Sequence, residues 1–199
     1  MKSLGKFFFK FRSYTPLPFF FTMILLMKPD LYSILSGLPL IIAGEIIRIW
    51  AVSYAGSETR TTDGVGGSNL VTQGPFSIVR NPLYLGNVLI YTGIGIMSFA
   101  LFPYLQVFGL IYFTFQYYCI ILNEEEYLTK SFSGKFVVYL KSVNRFIPWK
   151  RNIPEEIISK LKFDIKSGMK SERRSLQSII ISSLIIIVYY IYSIWYKPM

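Results

Sequence analysis

With 199 residues, 52% of them hydrophobic and 18% aromatic, and a mean hydropathy of +0.43, the chain is too apolar for an ordinary soluble domain; the expected class is an all-α, polytopic integral membrane bundle of one domain. Its net charge of +10 comes without any nucleic-acid motif, so the expected partner is an anionic membrane surface and not a nucleic acid. The absence of histidine excludes Ser-His-Asp, Cys-His and histidine–metal chemistries, and the single cysteine, Cys119, excludes an intrachain disulfide or a cysteine metal site.

The first apolar stretch runs from Tyr14 to Met27 behind Lys10 and Arg12. It predicts a membrane helix that crosses only if tilted or extended by flanking aromatics. The N-terminal region lacks the small-residue cleavage site of a signal peptide. Lys28-Pro29-Asp30 breaks the pattern, and Leu31 to Tyr54 is long enough for a second span. Glu45 and Arg48 interrupt that span at i, i+3 spacing, on one helix face. An ion pair near the interface and a site-lining role are both open for them. Gly56 to Asn81 is rich in Gly, Ser, Thr and Asn and reads as a loop outside the hydrocarbon. Leu83 to Phe102 and Leu105 to Leu122 are expected as the third and fourth spans, antiparallel neighbours joined at Pro103-Tyr104. Gly86, Gly93, Gly95 and Gly109 would permit close helix contacts. Asn123 to Ser178 is polar and charged, with Pro148 and Pro154 bracketing a break between two surface helices. Ile179 to Tyr196 is the fifth span, uncharged and ending in Trp195 and Tyr196.

Under this five-span topology only Lys28 and Lys197, of 21 Lys and Arg, fall on the side opposite the rest. Such one-sided charge predicts that the basic loops face the cytoplasm. The loop ending in Gly74-Pro75-Phe76 and Arg80-Asn81-Pro82-Leu83-Tyr84, and the segment opening with Asn123-Glu124-Glu125-Glu126, fall on that same side. Because the third and fourth spans are antiparallel neighbours, Asn81 and Tyr84 are expected beside Glu124 and Glu125. Asn81 is a good helix N-cap with Pro82 at N1, which leaves backbone N–H groups for a ligand. Taken singly, the pieces also read as a turn, a snorkelling Arg80 and a solvated helix entry.

The residues Leu70-Val71-Thr72-x-Gly74-Pro75-Phe76-x-x-x-Arg80-Asn81-Pro82-x-Tyr84-x-Gly86, followed by Glu124-Glu125-x-x-Leu128-x-x-x-Phe132, Tyr139, Val143, Arg145 and Pro148, resemble the isoprenylcysteine carboxyl methyltransferase family, which is related to the phospholipid N-methyltransferases. That family carries Gly-x-Tyr-x-x-x-Arg-His-Pro-x-Tyr-x-Gly and then Glu-Glu-x-x-Leu-x-x-x-Phe-Gly. The resemblance implies a membrane enzyme that binds S-adenosylmethionine in a cytosol-facing pocket and methylates a lipophilic molecule or lipid admitted from the bilayer. Carried over by position, Leu70, Val71, Phe76, Asn81, Pro82, Tyr84 and Glu124 match cofactor-contacting positions. Arg80, Glu125 and Arg145 match motif positions assigned to the catalytic constellation.

The chain departs from the pattern at Asn81 (His in the family), Ser133 (Gly), Phe136 (Tyr) and Asn144 (Pro). It has Ile120 where the isoprenylcysteine enzymes carry a substrate-associated arginine. Without that arginine nothing there holds a substrate carboxylate by bidentate pairing, so the acceptor is open. A sulfonium methyl donor is already activated, and the protein has only to align the reactants and exclude water. The alternative is a protein of the same fold that has lost catalysis and serves in lipid binding or assembly. A transporter would require an internal repeat, and none is present.

Overall fold

The computed structural model describes residues 2–56, 69–148 and 153–196. Arg60, Lys150, Arg151 and Lys197, counted above for orientation, lie outside them. The described residues form six α-helices: α1 (Lys2–Phe11), α2 (Pro16–Leu26), α3 (Leu31–Ala55), α4 (Pro82–Ser98), α5 (Tyr104–Ser142) and α6 (Ile165–Tyr196). The protein is a helical membrane bundle. By length and composition α3, α5 and α6 are able to cross a bilayer, while α2 and α4 are apolar but shorter.

The first expected span is in fact the second half of a broken helix. Pro16 at the N1 position of α2 has no N–H to donate backward, so the chain leaves the helix at Arg12 and restarts there. At 11 residues α2 rises only about 16 Å, half a hydrocarbon core. α1 continues the path, with the carbonyl of Cys119 lying against Gly5. α3 opens on a reciprocal cap: the Asp30 carboxylate accepts from the Ser33 backbone N–H at 2.6 Å, and Ser33 Oγ accepts from the Asp30 N–H at 3.0 Å.

α3 and α4 pack through glycines. A Cβ on Gly44 would stand 2.6 Å from the carbonyl oxygen of Gly86, and one on Gly86 2.7 Å from that of Gly44. Gly37 and Gly93 repeat the contact two turns away, so the helices touch backbone to backbone. Gly95 and Gly109, also expected at close contacts, meet nothing nearer than 3.6 Å.

α4 stops at Ser98, short of the expected Phe102, because Phe99 adopts a left-handed conformation (φ 52°). Gln106 Nε2 then donates to the carbonyls of Gly95 at 2.8 Å and Ala100 at 3.1 Å, satisfying acceptors that the helix end leaves open. α5 runs past the expected end at Leu122 to Ser142, bending at Ser133 (φ 44°, ψ −122°). The two surface helices expected between Asn123 and Ser178 are therefore the continuations of α5 and α6, the second beginning at Ile165 in place of Ile179. Buried side chains gather between α3, α4 and α6 (Ile34, Ile41, Ile90, Met97, Ile186), and between α1 and α5 (Phe8, Phe113, Tyr117, Cys119). A third group (Phe136, Tyr139, Val143, Ile157) lies under the loop before α4.

Candidate functional site

The loop Leu70–Asn81 is held down along its length. Tyr139 donates its hydroxyl to the Phe76 carbonyl at 2.6 Å, and Thr72 Oγ1 donates to the Ile157 carbonyl at 2.9 Å. Val79 bridges Asn144 in parallel, and the Arg80 N–H donates to the Asn144 carbonyl at 2.8 Å. Gly74 turns the chain at φ 59° with the Tyr54 ring against it, a place without room for a side chain. Thus pinned, the loop forms one wall of a cavity of about 750 Å³ between α3, α4, α5 and α6.

Leu70, Val71, Phe76, Arg80, Asn81, Pro82, Tyr84, Glu124 and Glu125 all line that cavity. Residues 40 positions apart meet where Tyr84 donates its hydroxyl to Glu124 Oε1 at 2.6 Å. The Tyr84 ring stacks on Tyr117, centroids 4.7 Å apart, which fixes the direction of that hydroxyl. Glu124 lies beyond the apolar run that ends at Leu122. Burial raises its carboxyl to about 7, against the lowering effect of the Tyr84 hydrogen bond.

Glu125 faces a different environment. Arg80 donates to its Oε1 through Nε at 3.2 Å and Nη2 at 2.9 Å, and Arg145 donates to Oε2 through Nη2 at 2.7 Å. The remaining Arg80 nitrogen, Nη1, donates to the carbonyls of Leu140, at 2.8 Å, and Val143. Arg145 is not on the cavity wall, and its guanidinium pKa is raised chiefly by the hydrogen bonds to Glu125. Asn81 sits at the N-cap of α4 as expected, but its side chain caps nothing: Nδ2 donates to the Arg145 carbonyl at 3.5 Å. The amide ties α4 to the segment after α5.

Residues outside the two motif segments complete the cavity. Arg48 lines it and binds the Glu172 carboxylate and the Asn87 amide oxygen, with Nη2 also donating to Ser175 Oγ at 3.1 Å. Glu45 lies 3.6 Å from Arg48 Nε. Of the two open readings of this pair, Arg48 is thus an interior wall residue that joins α3, α4 and α6. Glu172, only 2% exposed, had a signal: Gly168, Glu172, Ser175, Ser182 and Ile186 follow helical spacing on one face. Phe9, Arg12 and Ser13 close the wall at the break between α1 and α2.

A bundle of apolar helices around a cavity of mixed polar and apolar lining, whose walls come from sequence-distant segments and carry the carboxylates of Glu124, Glu125 and Glu172, defines a membrane-embedded helical protein with an interior cavity. The family model for phospholipid methyltransferases matches residues 32–135, from the start of α3 to just past the bend in α5, and the chain belongs to that family of membrane methyltransferases. It is also 32% identical over 101 residues to the cobalt-zinc-cadmium resistance protein CzcN of Cupriavidus metallidurans, across 51% of this chain and 42% of that protein. The match therefore spans less than half the length of the relative. No solved structure matches.

Proposed function

We propose that the chain is an S-adenosylmethionine-dependent methyltransferase that acts on a lipophilic acceptor admitted from the bilayer, with its cavity open toward the cytoplasm. The observation that carries this reading is the Glu124 carboxylate, held by Tyr84 inside a cavity built by both motif segments. A cavity of about 750 Å³ falls in the range of small-molecule sites. Its residues suit the donor: an acidic group for a cation, aromatic and aliphatic walls at Phe76, Leu70, Val71 and Leu128 for an adenine, and amide and hydroxyl groups at its rim. The cofactor supplies a methyl group already activated on a sulfonium.

The chain's own residues then have few tasks. Glu124 attracts the positively charged part of the cofactor, and Tyr84 aims that carboxylate. Leu70, Val71, Phe76, Asn81 and Pro82 shape the wall on which the cofactor rests. Arg80, Glu125 and Arg145 act as a positioning cluster: they lock the loop, α5 and the segment after it in one arrangement, so that the cavity is preorganised and water is kept out.

Titration of the protein in lipid nanodiscs with S-adenosylmethionine tests the reading. Saturable binding is expected, weakened about tenfold or more in Glu124→Ala through loss of a charge-assisted contact. Absence of binding at millimolar cofactor, with Glu124→Ala behaving like the parent, overturns it. Lipid extracts incubated with labelled methyl donor then identify the acceptor by the species that takes label.

A further inference from the structure

Between the single turn Glu155–Ile157 and the start of α6 the chain forms a strap in which every second residue is engaged with the protein. Ile157 is buried. The Ser159 N–H donates to Thr72 Oγ1 at 2.8 Å while Ser159 Oγ accepts the Thr72 N–H at 3.1 Å, and the Leu161 N–H donates to Gln73 Oε1 at 3.1 Å. The Phe163 ring lies 5.2 Å from that of Tyr54, which also stands against Gly74. The strap is thus tied along the loop that walls the cavity. Its far end is fixed to α3, where the Asp164 N–H donates to the Ser53 carbonyl at 2.8 Å. The outer surface is different: Ile158, Phe163, Ile165 and Met169 are exposed beside the exposed Lys160, Lys162, Lys166 and Lys170. None of these lysines makes an ion pair among the described residues. Asp164, the acid within their run, accepts from the Lys166 and Ser167 N–H groups at the start of α6, and Glu155 and Glu156 are exposed on the turn before. α3 is long and apolar enough to cross a bilayer, so its last turn, where Ser53 and Tyr54 hold the strap, lies at headgroup depth. Bulky apolar side chains among lysines at that depth suit a lipid surface.

We propose that residues 158–170 dock on an anionic lipid leaflet, and that this contact holds residues 70–76 in place as a wall of the cavity. The lysines meet the headgroups, and Ile158, Phe163, Ile165 and Met169 enter the boundary with the acyl chains. This rests on the function proposed above only in that the wall so held is the one given to the cofactor; it goes beyond it by making the charge of the leaflet a control on that wall. The whole segment lies outside residues 32–135, which match the family model. Lysines near an anionic leaflet are attracted to it, and salt screens the attraction. A second copy of this chain docked symmetrically on the same surface would set lysine against lysine. The hydrogen bonds of Thr72, Ser159 and Leu161 carry the effect inward, since their amides open to water when the strap lifts.

A spin label and amide exchange test this on the full chain, without cofactor, in nanodiscs of phosphatidylcholine alone or mixed with phosphatidylglycerol. Cys119, the chain's single cysteine, is buried and leaves a nitroxide label to the new site in Ile165→Cys. In the mixed discs oxygen should reach that label more readily than a water-soluble nickel chelate does. There the Thr72, Ser159 and Leu161 amides should exchange about tenfold more slowly than in phosphatidylcholine, and high salt should remove the difference. The triple variant Lys160→Gln, Lys162→Gln, Lys166→Gln should exchange alike in both discs, at the parent's rate in phosphatidylcholine. A label reached chiefly by the chelate in both discs, equal exchange of the parent in both, or a lipid response kept by the triple variant overturns the proposal. So does shielding of the label that vanishes when each disc holds one chain, since a second copy then covers the surface. An unchanged melting temperature in phosphatidylcholine shows that the triple variant folds; if it does not, Lys162→Gln and Lys166→Gln singly take its place, each expected to lose part of the lipid response. Cofactor binding enters none of these readouts, so failure of the cofactor reading is distinguishable from failure of this one.

Discussion

Tyr84 and Glu124 meet at 2.6 Å across 40 residues of sequence, the hydroxyl of one giving its proton to the carboxylate of the other inside a common cavity. The pair joins the start of α4 to α5 just past its apolar run, and every functional statement above depends on that junction.

Cofactor affinity should depend on pH through this carboxylate. With its carboxyl raised to about 7 by burial, Glu124 is largely neutral at pH 6 and largely charged at pH 8. A cationic ligand favours the charged form, so affinity for S-adenosylmethionine should rise from pH 6 to pH 8 and level off above. Calorimetric titration across that range checks it, and Glu124→Gln should flatten the profile.

Arg80 and Arg145 share Glu125 but should not be equal in stability. The Arg80 side chain is 10% exposed and also holds two backbone carbonyls, whereas that of Arg145 is 32% exposed. Arg80→Ala should cost about 3–5 kcal/mol, as for a broken buried pair, and Arg145→Ala about 1 kcal/mol. Denaturant unfolding in micelles measures both. Arg80→Lys should not restore the loss, since an ammonium lacks the fork that spans Glu125 and the Leu140 and Val143 carbonyls.

The glycine contact between α3 and α4 sets a steric test. In Gly86→Ala the new Cβ would lie 2.6 Å from Arg48 Cγ and 2.7 Å from the Gly44 carbonyl oxygen. The helices must part, at about 1–3 kcal/mol, and Arg48 must move from Asn87 and Glu172. Gly95→Ala, whose Cβ would find Gln106 Cγ at 3.6 Å, should be tolerated. Thermal melts of the two variants should separate clearly, and equal melts would contradict the packing.

Ser133 offers a gain. Its φ of 44° and ψ of −122° match the first central position of a type II′ turn, where a Cβ is strained and glycine is preferred. The resemblance drawn from sequence has glycine at this place. Ser133→Gly should raise stability by about 1 kcal/mol in the same unfolding assay, with Ser133→Ala giving no such gain.

The membrane class, the helical content and the approximate places of the apolar helices were legible in the sequence, because hydropathy and helical period are local properties of a segment. Helix ends were less so. α4 stops at Ser98 and α5 and α6 extend through charged residues, since whether a polar segment continues a helix depends on what it packs against. The candidate site residues of the loop and of α5 were named through the family resemblance, and of those ten all but Arg145 lie on the cavity wall. Arg12, Arg48, Asn87, Tyr117 and Glu172 carry no motif. Arg12 read as a charge bounding a span and the segment holding Glu172 as a surface helix, whereas both residues line the cavity, at the break before Pro16 and on the face of α6 packed against α3. The sequence alone determined that the chain lives in a membrane and which two segments resemble a cofactor site. Only the tertiary structure decided which charges face one another, because burial and partnership are set by side chains far apart in the chain.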